Sequence, residues 1–198
     1  MTRPILCALF ALLLGTHAIA QGLPGIDIKG PFARVKRNED GSETRFERGK
    51  DERTLIKSTY SAGAHNLTLK TVYRLDDKGN PLKCDIYDGL GNKLYKTSFG
   101  YSKRPGPTLG KLVQELLYDV RVKRFFPGSK NEMPVHMFIY KYKPDGTAEL
   151  PVGMTLIKGK TAEEVFGKGV VPEVQALPNL NELEEVSPAN PNAKPLRR

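Results

Sequence analysis

The sequence predicts an α+β fold that is mainly β, an antiparallel meander of about seven or eight strands with one packed α-helix. Three observations support this prediction. Short segments rich in β-branched and aromatic residues follow one another from about residue 32 to residue 158, and turn residues separate them. One turn sequence is written twice in close succession, as in consecutive hairpins. A single segment, 108–123, places its apolar residues at helical spacing.

The two ends of the chain differ in composition from its middle. Residues 1–20 combine a basic start, an apolar run and small residues at Ala18 and Ala20, which predicts a secretory signal peptide cleaved after Ala20. The alternative is an N-terminal membrane anchor, although the apolar run is short for a bilayer. Residues 172–198 are rich in proline and lack aromatic residues, which favours a disordered tail. A single β-rich domain is predicted between them, at 21–171.

The cysteines indicate the compartment. Cleavage after Ala20 would remove Cys7 and leave Cys84 alone, so the exported chain could not form an internal disulfide. Exported domains of this size without disulfides are typical of bacterial envelopes. The sequence therefore predicts a periplasmic or secreted protein with no stable membrane span after cleavage, and export makes nucleic acid a poor candidate partner.

Six strands are predicted in the first part of the domain, each short and bounded by Gly, Asn, Asp or Pro. They are Phe32–Arg37, Glu43–Arg48, Thr54–Ser61, Leu67–Leu75, Leu82–Tyr87 and Lys93–Tyr101.

The repeated turn lies between the last three of these strands. Residues 76–82 read DDKGNPL, and residues 88–94 read DGLGNKL. Gly79 and Gly91 supply positions where a positive φ has little steric cost, and the Asp that begins each copy can accept hydrogen bonds from the amides of its turn. The pattern predicts a three-stranded antiparallel sheet with two equivalent hairpins.

Residues 72–101 resemble the hairpins of YD-repeat (Rhs-type) proteins. The resemblance rests on Tyr87-Asp88 followed by Gly91-Asn92, and on the shifted copy at 76–80. It implies hairpin geometry within a β-meander, in a family whose repeats build shells on large surface proteins and to some of which carbohydrate binding has been ascribed. It implies no functional residue in this chain.

The rest of the domain is predicted from its local patterns. In 108–123 the apolar residues at helical spacing are Leu112, Val113, Leu116, Leu117 and Val120. Residues 135–143 and 148–158 form a second hairpin around Pro-Asp-Gly at 144–146. Residues 161–166 form either one helical turn or a last short strand. In the tail, Asn179 with Glu182 three residues later predicts a capped helical segment.

Catalytic and metal-binding patterns are weak in this chain. Cys84 alternates with Leu82 and Ile86, which predicts a buried cysteine and not a nucleophile. A Cys84–His136 hydrolase dyad is the alternative, should their strands adjoin. The histidine, cysteine and aspartate spacings match no metal site, and no phosphate loop or dinucleotide fingerprint occurs. No cofactor and no enzyme activity are predicted.

The formal net charge of +9 predicts attraction to an anionic partner. Basic residues recur at strand spacing, which places each pair on one side of its strand, and several pairs together would form a basic sheet face. The candidate ligand-binding residues are Arg34, Lys36, Lys70, Arg74, Tyr73, Lys141 and Lys143. Tyr87, Tyr95 and Tyr101 are further candidates for stacking. The alternative is ordinary solubility, with Lys and Arg protecting exposed strands from edge pairing.

The sequence thus predicts an exported, non-enzymatic binding or accessory protein of the bacterial envelope. Its basic sheet face would engage an anionic glycan, a cell-wall polymer or an acidic protein. The alternative is a protein–protein interaction or assembly module that docks through its C-terminal tail. A Cys84/His136 hydrolase is the third hypothesis.

Overall fold

A computed structural model describes residues 29–64, 66–166 and 172–186. The described chain forms one ten-stranded sheet in which all neighbouring strands are antiparallel, in the order β10-β1-β2-β3-β4-β5-β6-β7-β8-β9. The predicted signal peptide lies outside the described residues.

The first five strands are β1 (Phe32–Arg37), β2 (Glu43–Arg48), β3 (Thr54–Tyr60), β4 (Leu67–Leu75) and β5 (Pro81–Asp88). The remaining strands are β6 (Lys93–Tyr101), β7 (Leu112–Asp119), β8 (His136–Ile139), β9 (Val152–Thr155) and β10 (Glu184–Glu185). One short α-helix, α1, spans Ala162–Phe166, and 3-10 turns span Ala62–Ala64 and Leu180–Glu182. The mainly β, antiparallel class is confirmed, whereas the described residues form ten strands and not seven or eight.

The predicted helix at 108–123 is wrong. Its centre is β7, which pairs with β6 on one side and β8 on the other. Along β7 the side chains of Glu115, Leu117 and Asp119 are buried in alternation, while the residues between them are half-buried. The leucines and valines of this segment are compatible with a strand as well as with a helix. The neighbouring strands β6 and β8 supply backbone hydrogen-bond partners that outweigh the local helical propensity.

Residues 172–186 differ from the predicted disordered tail. Leu177 and Leu180 are buried in the core with 4% and 5% of their surface exposed, and β10 pairs with β1. Asn179 caps the 3-10 turn by accepting a hydrogen bond from the Asn181 amide, so the predicted cap is confirmed but the helical segment is a single turn. We call residues 172–186 the strap. Its two leucines cover an apolar sheet face that would otherwise contact water. The predicted tail beyond residue 186 lies outside the described residues.

The two copies of the repeated turn have the same hydrogen bonds. The Oδ1 atom of Asp76 accepts from the amides of Lys78 and Asn80, each at 2.8 Å. The Oδ1 atom of Asp88 accepts from the amides of Leu90 and Asn92, at 2.9 and 2.8 Å. Because both turns close in the same way, β4, β5 and β6 lie side by side, as the sequence predicts. The relation to YD-repeat proteins stays a prediction.

The second predicted hairpin is also present. The chain turns at residues 143–147, where the Gly146 amide donates to the Lys143 carbonyl at 2.8 Å, and it returns as β9 beside β8. The segment at 161–166 adopts the helical alternative.

Alternation divides the sheet into two faces. The inner face carries the core residues Phe46, Leu55, Tyr73, Cys84 and Leu117, and the strap packs on it. The other face is the outer face. The sheet is strongly curved. A flat sheet would place β3 and β8 about 24 Å apart, yet Lys57 on β3 and Tyr140 after β8 line the same cavity. Within the described residues β9 and β10 are the two unpaired edges, so the curve does not close.

Gly91→Ala tests the turn geometry. Gly91 has a φ of 89° and an added Cβ meets nothing within 4 Å, so the substitution introduces backbone strain without a clash. We expect it to lower the free energy of unfolding by about 1 kcal/mol, measured by urea denaturation. Gly49→Ala is the matched control, because Gly49 has no positive φ and its added Cβ meets only Asp51 at 3.7 Å. Equal effects at the two glycines would contradict the turn assignment.

Leu180→Ala tests whether the strap is part of the folded core. Removing a side chain that is 5% exposed should lower the free energy of unfolding by about 2 kcal/mol or more. Leu90→Ala is the control, because Leu90 is 90% exposed and its truncation should change stability by less than about 0.5 kcal/mol. A Leu180→Ala variant as stable as the unmodified protein would mean that the strap does not pack in solution.

Candidate functional site

The outer face of β4, β5 and β6 carries a group of basic residues that we call the outer basic patch: Lys70, Arg74, Lys83, Lys93 and Lys96. Cross-strand pairing brings them together, since paired residues project from the same face. Arg74 pairs with Lys83, while Lys70 pairs with Tyr87 and Tyr87 pairs in turn with Lys93. The five cations occupy three adjacent strands, and neighbouring strands lie about 4.8 Å apart.

Some of these cations are partly neutralised. The Lys93 ammonium lies 2.7 Å from the Asp85 carboxylate, and the Lys96 ammonium lies 2.5 Å from Glu132. Lys70 and Lys83 form no ion pair with any residue that the structure describes.

Arg74 lies at the margin of the patch. Its guanidinium donates to the Thr54 hydroxyl at 2.7 Å. The charge of Arg74 also contributes to holding the pKa of Asp51 below its ordinary value, after the larger effect of a hydrogen bond from the Thr54 side chain. Five cations against the three carboxylates of Asp51, Asp85 and Glu132 leave the patch positive.

A concavity of about 620 Å³ opens beside the patch. Lys83, Lys93 and Lys96 line it together with Tyr118 from β7, and the loop at Asn131 and Glu132 forms a wall. The Lys96 ammonium lies 5.3 Å from the centre of the Tyr118 ring, which is within cation–π range. The concavity therefore combines cations with an aromatic wall.

The predicted ligand-binding residues do not share one surface. Lys70 and Arg74 belong to the patch, but Tyr73 between them points to the inner face and is 0% exposed, so it cannot stack on a ligand. The same alternation that places Lys70 and Arg74 on one side of β4 places Tyr73 on the other side.

The other predicted bases lie elsewhere. Arg34 and Lys36 are on the inner face of β1, and Arg34 forms an ion pair with Glu185 of the strap at 2.9 Å. Lys141 and Lys143 are exposed in the β8–β9 connection, away from the patch. The single basic face that the sequence predicts is thus divided among three places.

The predicted tyrosines are divided in the same way. Tyr87 is on the outer face, paired with Lys70. Tyr95 is on the inner face, where Arg121 donates to its hydroxyl at 2.7 Å, and the Tyr101 hydroxyl donates to the Pro81 carbonyl at 2.7 Å. Tyr118 was missed because its segment was assigned to a helix. The place of Lys83, Lys93 and Lys96 in the patch could have been predicted from the sequence, because the repeated turns set the pairing of β4, β5 and β6.

Cys84 and His136 do not form a dyad. They share one cross-strand row of the inner face, but Thr97 and Leu117 stand between them, which separates the two residues by three strand spacings or about 14 Å. Burial raises the pKa of the Cys84 thiol to about 12, so it is not a thiolate at neutral pH. The His136 ring lies beside Thr155, with 3.4 Å between Nδ1 and the hydroxyl.

Two further features are absent from the described residues. No group of three or more His, Cys, Asp or Glu is arranged to hold a metal ion within the three described ranges. Nor do those ranges contain a helix of the length and hydropathy needed to cross a membrane.

The inner face contains a buried carboxylate that sequence analysis missed. Glu115 is 1% exposed and accepts hydrogen bonds from the Tyr140 hydroxyl and, at 2.8 Å, from the Gln175 amide of the strap. Burial raises the pKa of Glu115 above its ordinary value, and these hydrogen bonds oppose that shift. Glu115 therefore ties the strap to β7.

Glu115→Gln tests this burial through the pH dependence of stability. Because the folded state holds the Glu115 proton to a higher pH than the unfolded state, its stabilising contribution is complete below about pH 4.5 and is lost as the pH rises through the folded pKa. We expect the unmodified protein to lose stability relative to Glu115→Gln over that rise, in urea denaturation at a series of pH values. Burial also lowers the pKa of His136, but this group is present in both proteins and cancels in the difference. A difference that is constant with pH would contradict the shift.

Comparison with known proteins gives no family for this chain. A scan against protein-family models finds no match, and a search of curated proteins finds none either. The functional conclusion consequently rests on the charge, register and cavities described above.

Proposed function

We propose that this chain is an exported, non-enzymatic binding or accessory protein of the bacterial envelope that engages an anionic glycan or cell-wall polymer through the outer basic patch. The observation that carries the proposal is the cross-strand register of β4, β5 and β6, which presents five cations on one face of three adjacent strands. An anionic chain lying across these strands would meet several of them at once.

The composition of the patch suits a polymer. No carboxylate of the described residues forms an ion pair with Lys70 or Lys83, so a polymer carboxylate or phosphate would contact them without first displacing one of these groups. Tyr87 and Tyr118 present aromatic surface among the cations, on which a sugar ring can pack. The strand backbones fix the spacing of the Cα atoms that carry these groups, so the backbone need not be ordered on binding.

Docking through the C-terminal tail is less well supported. The apolar side chains of the predicted capped segment in the tail are Leu180, Leu183 and Val186. Leu180 is buried against the core, Leu183 packs against it, and the Val186 amide donates to the Ala33 carbonyl at 3.2 Å. These three residues therefore already make packing contacts or hydrogen bonds within the chain.

The proposal is tested with a double variant, Arg74→Ala with Lys83→Ala, in the chain that cleavage after Ala20 would leave. Co-sedimentation with peptidoglycan and with insoluble anionic polysaccharides gives the affinity at low and high salt. We expect retention that weakens with salt, because exposed charges are screened. The double variant should bind about tenfold more weakly, which corresponds to about 1.4 kcal/mol.

The matched control is Lys141→Ala with Lys143→Ala, which removes the same charge from exposed positions outside the patch. It should retain the affinity of the unmodified protein. Equal weakening by both double variants would mean that net charge alone causes retention, and no retention on any anionic polymer would overturn the proposal.

A further inference from the structure

A second cavity lies on the inner side of the sheet. Its volume is about 760 Å³, within the range of small-molecule sites. The inner face of β1, β2 and β3 forms one side, residues 149–151 form another, and residues 173–178 of the strap form the third. The cavity is thus separated from the outer basic patch by the sheet itself.

Lys57 is the notable charge in this cavity. It projects from the inner face of β3 and forms no ion pair or hydrogen bond with the residues that the structure describes. Burial lowers the pKa of Lys57 and the charge of Lys36 adds to this effect, which the charges of Glu173 and Glu115 only partly oppose. A partly buried ammonium without a counter-ion is costly, and a bound anion would relieve that cost.

The nearest buried carboxylate is already occupied. One oxygen of Glu115 accepts from Tyr140 and the other accepts from the Gln175 amide. No ion pair joins Glu115 to Lys57 within the described residues, and the Lys57 side chain lines the cavity.

The rest of the lining favours an apolar body with a single charge. Phe46, Val174 and Leu177 present hydrocarbon surface, and Leu150, which is 70% exposed, stands at the mouth. The acids of the lining, Asp40, Glu149 and Glu173, are all exposed, as is its second lysine, Lys36, so the rim carries three carboxylates against one ammonium.

We propose that this cavity binds a single-chain amphipathic carboxylate, with the head group at Lys57 and the hydrocarbon chain along Val174, Leu177 and Leu150. The rim carboxylates would repel a second negative charge at the far end of the ligand. The site therefore selects a monocarboxylate over both the neutral alcohol and the dicarboxylate of the same length.

Isothermal titration of the chain that cleavage after Ala20 would leave tests this, with decanoate, 1-decanol and decanedioate as probes. We expect saturable binding of decanoate at about tenfold higher affinity than either of the other two. Lys57→Met keeps the length of the side chain and removes its charge, so decanoate should bind about tenfold more weakly while decanol binds unchanged. Lys70→Met, on the outer face of the next strand, is the matched control and should leave decanoate binding intact.

Leu150→Glu provides a second test that does not disturb the core, since Leu150 is 70% exposed. A new carboxylate at the mouth should weaken decanoate binding about tenfold, and Leu150→Gln should weaken it less. Absence of saturable decanoate binding by the unmodified protein would overturn the proposal. So would decanoate affinities that Lys57→Met and Leu150→Glu leave unchanged. The outer basic patch is not involved, so either result leaves the polymer proposal to its own test.

Discussion

The pairing register of β4, β5 and β6 determines which side chains of this protein meet solvent and which enter the core. A slip of one residue would exchange the two faces, bringing Arg74 and Lys83 inside and Tyr73 and Cys84 outside. Two equivalent turns fix the register, each closed by an aspartate that accepts hydrogen bonds from the amides two and four residues later. The repeated turn therefore aligns the cations of three strands, although only Lys93 among them lies within either copy of the repeat.

The curvature of the sheet imposes a second constraint, because a concave inner face with apolar residues must be covered. The strap covers it with Leu177 and Leu180, and the Gln175 amide joins it to Glu115. The cover is incomplete beside β1, β2 and β3, where the cavity around Lys57 remains. The proposed polymer-binding face and the proposed small-molecule cavity are thus the outer and inner sides of one curved sheet.

Local signals predicted the local features of this fold. The strands Phe32–Arg37, Glu43–Arg48, Leu67–Leu75 and Lys93–Tyr101 have the predicted bounds, because each is marked by turn residues at both ends and by its own composition. Features that depend on distant partners were not predictable in this way. The segment at 112–119 satisfies both helical and strand spacing, and only the edges of β6 and β8 decide between them. The strap is predicted to be disordered because it belongs to a proline-rich segment without aromatic residues, whereas its buried leucines, its pairing with β1 and its hydrogen bond to Glu115 all depend on distant partners.

The candidate site shows the same division. Lys70 and Arg74 were found from strand spacing, but grouping them with Arg34 and Lys36 required knowledge of which faces coincide, and these pairs lie on opposite sides of the sheet. Lys57 and Glu115 gave no local signal, since a lone lysine in a strand and a glutamate in an apolar segment are each usually exposed. Their burial follows from curvature, which no short stretch of the sequence encodes.

The central claim is that the register of β4–β6 creates the proposed polymer-binding surface. Chemical-shift mapping tests this claim most directly. Amide resonances of the isotope-labelled chain would be followed while a soluble anionic polysaccharide is added at low salt. The account predicts perturbations concentrated at Lys70, Lys83, Lys93 and Lys96 and at Tyr118 on the neighbouring strand, with little change at Arg34, Lys36, Lys141 and Lys143. Perturbations centred on the latter positions, or spread evenly over all exposed lysines, would contradict it.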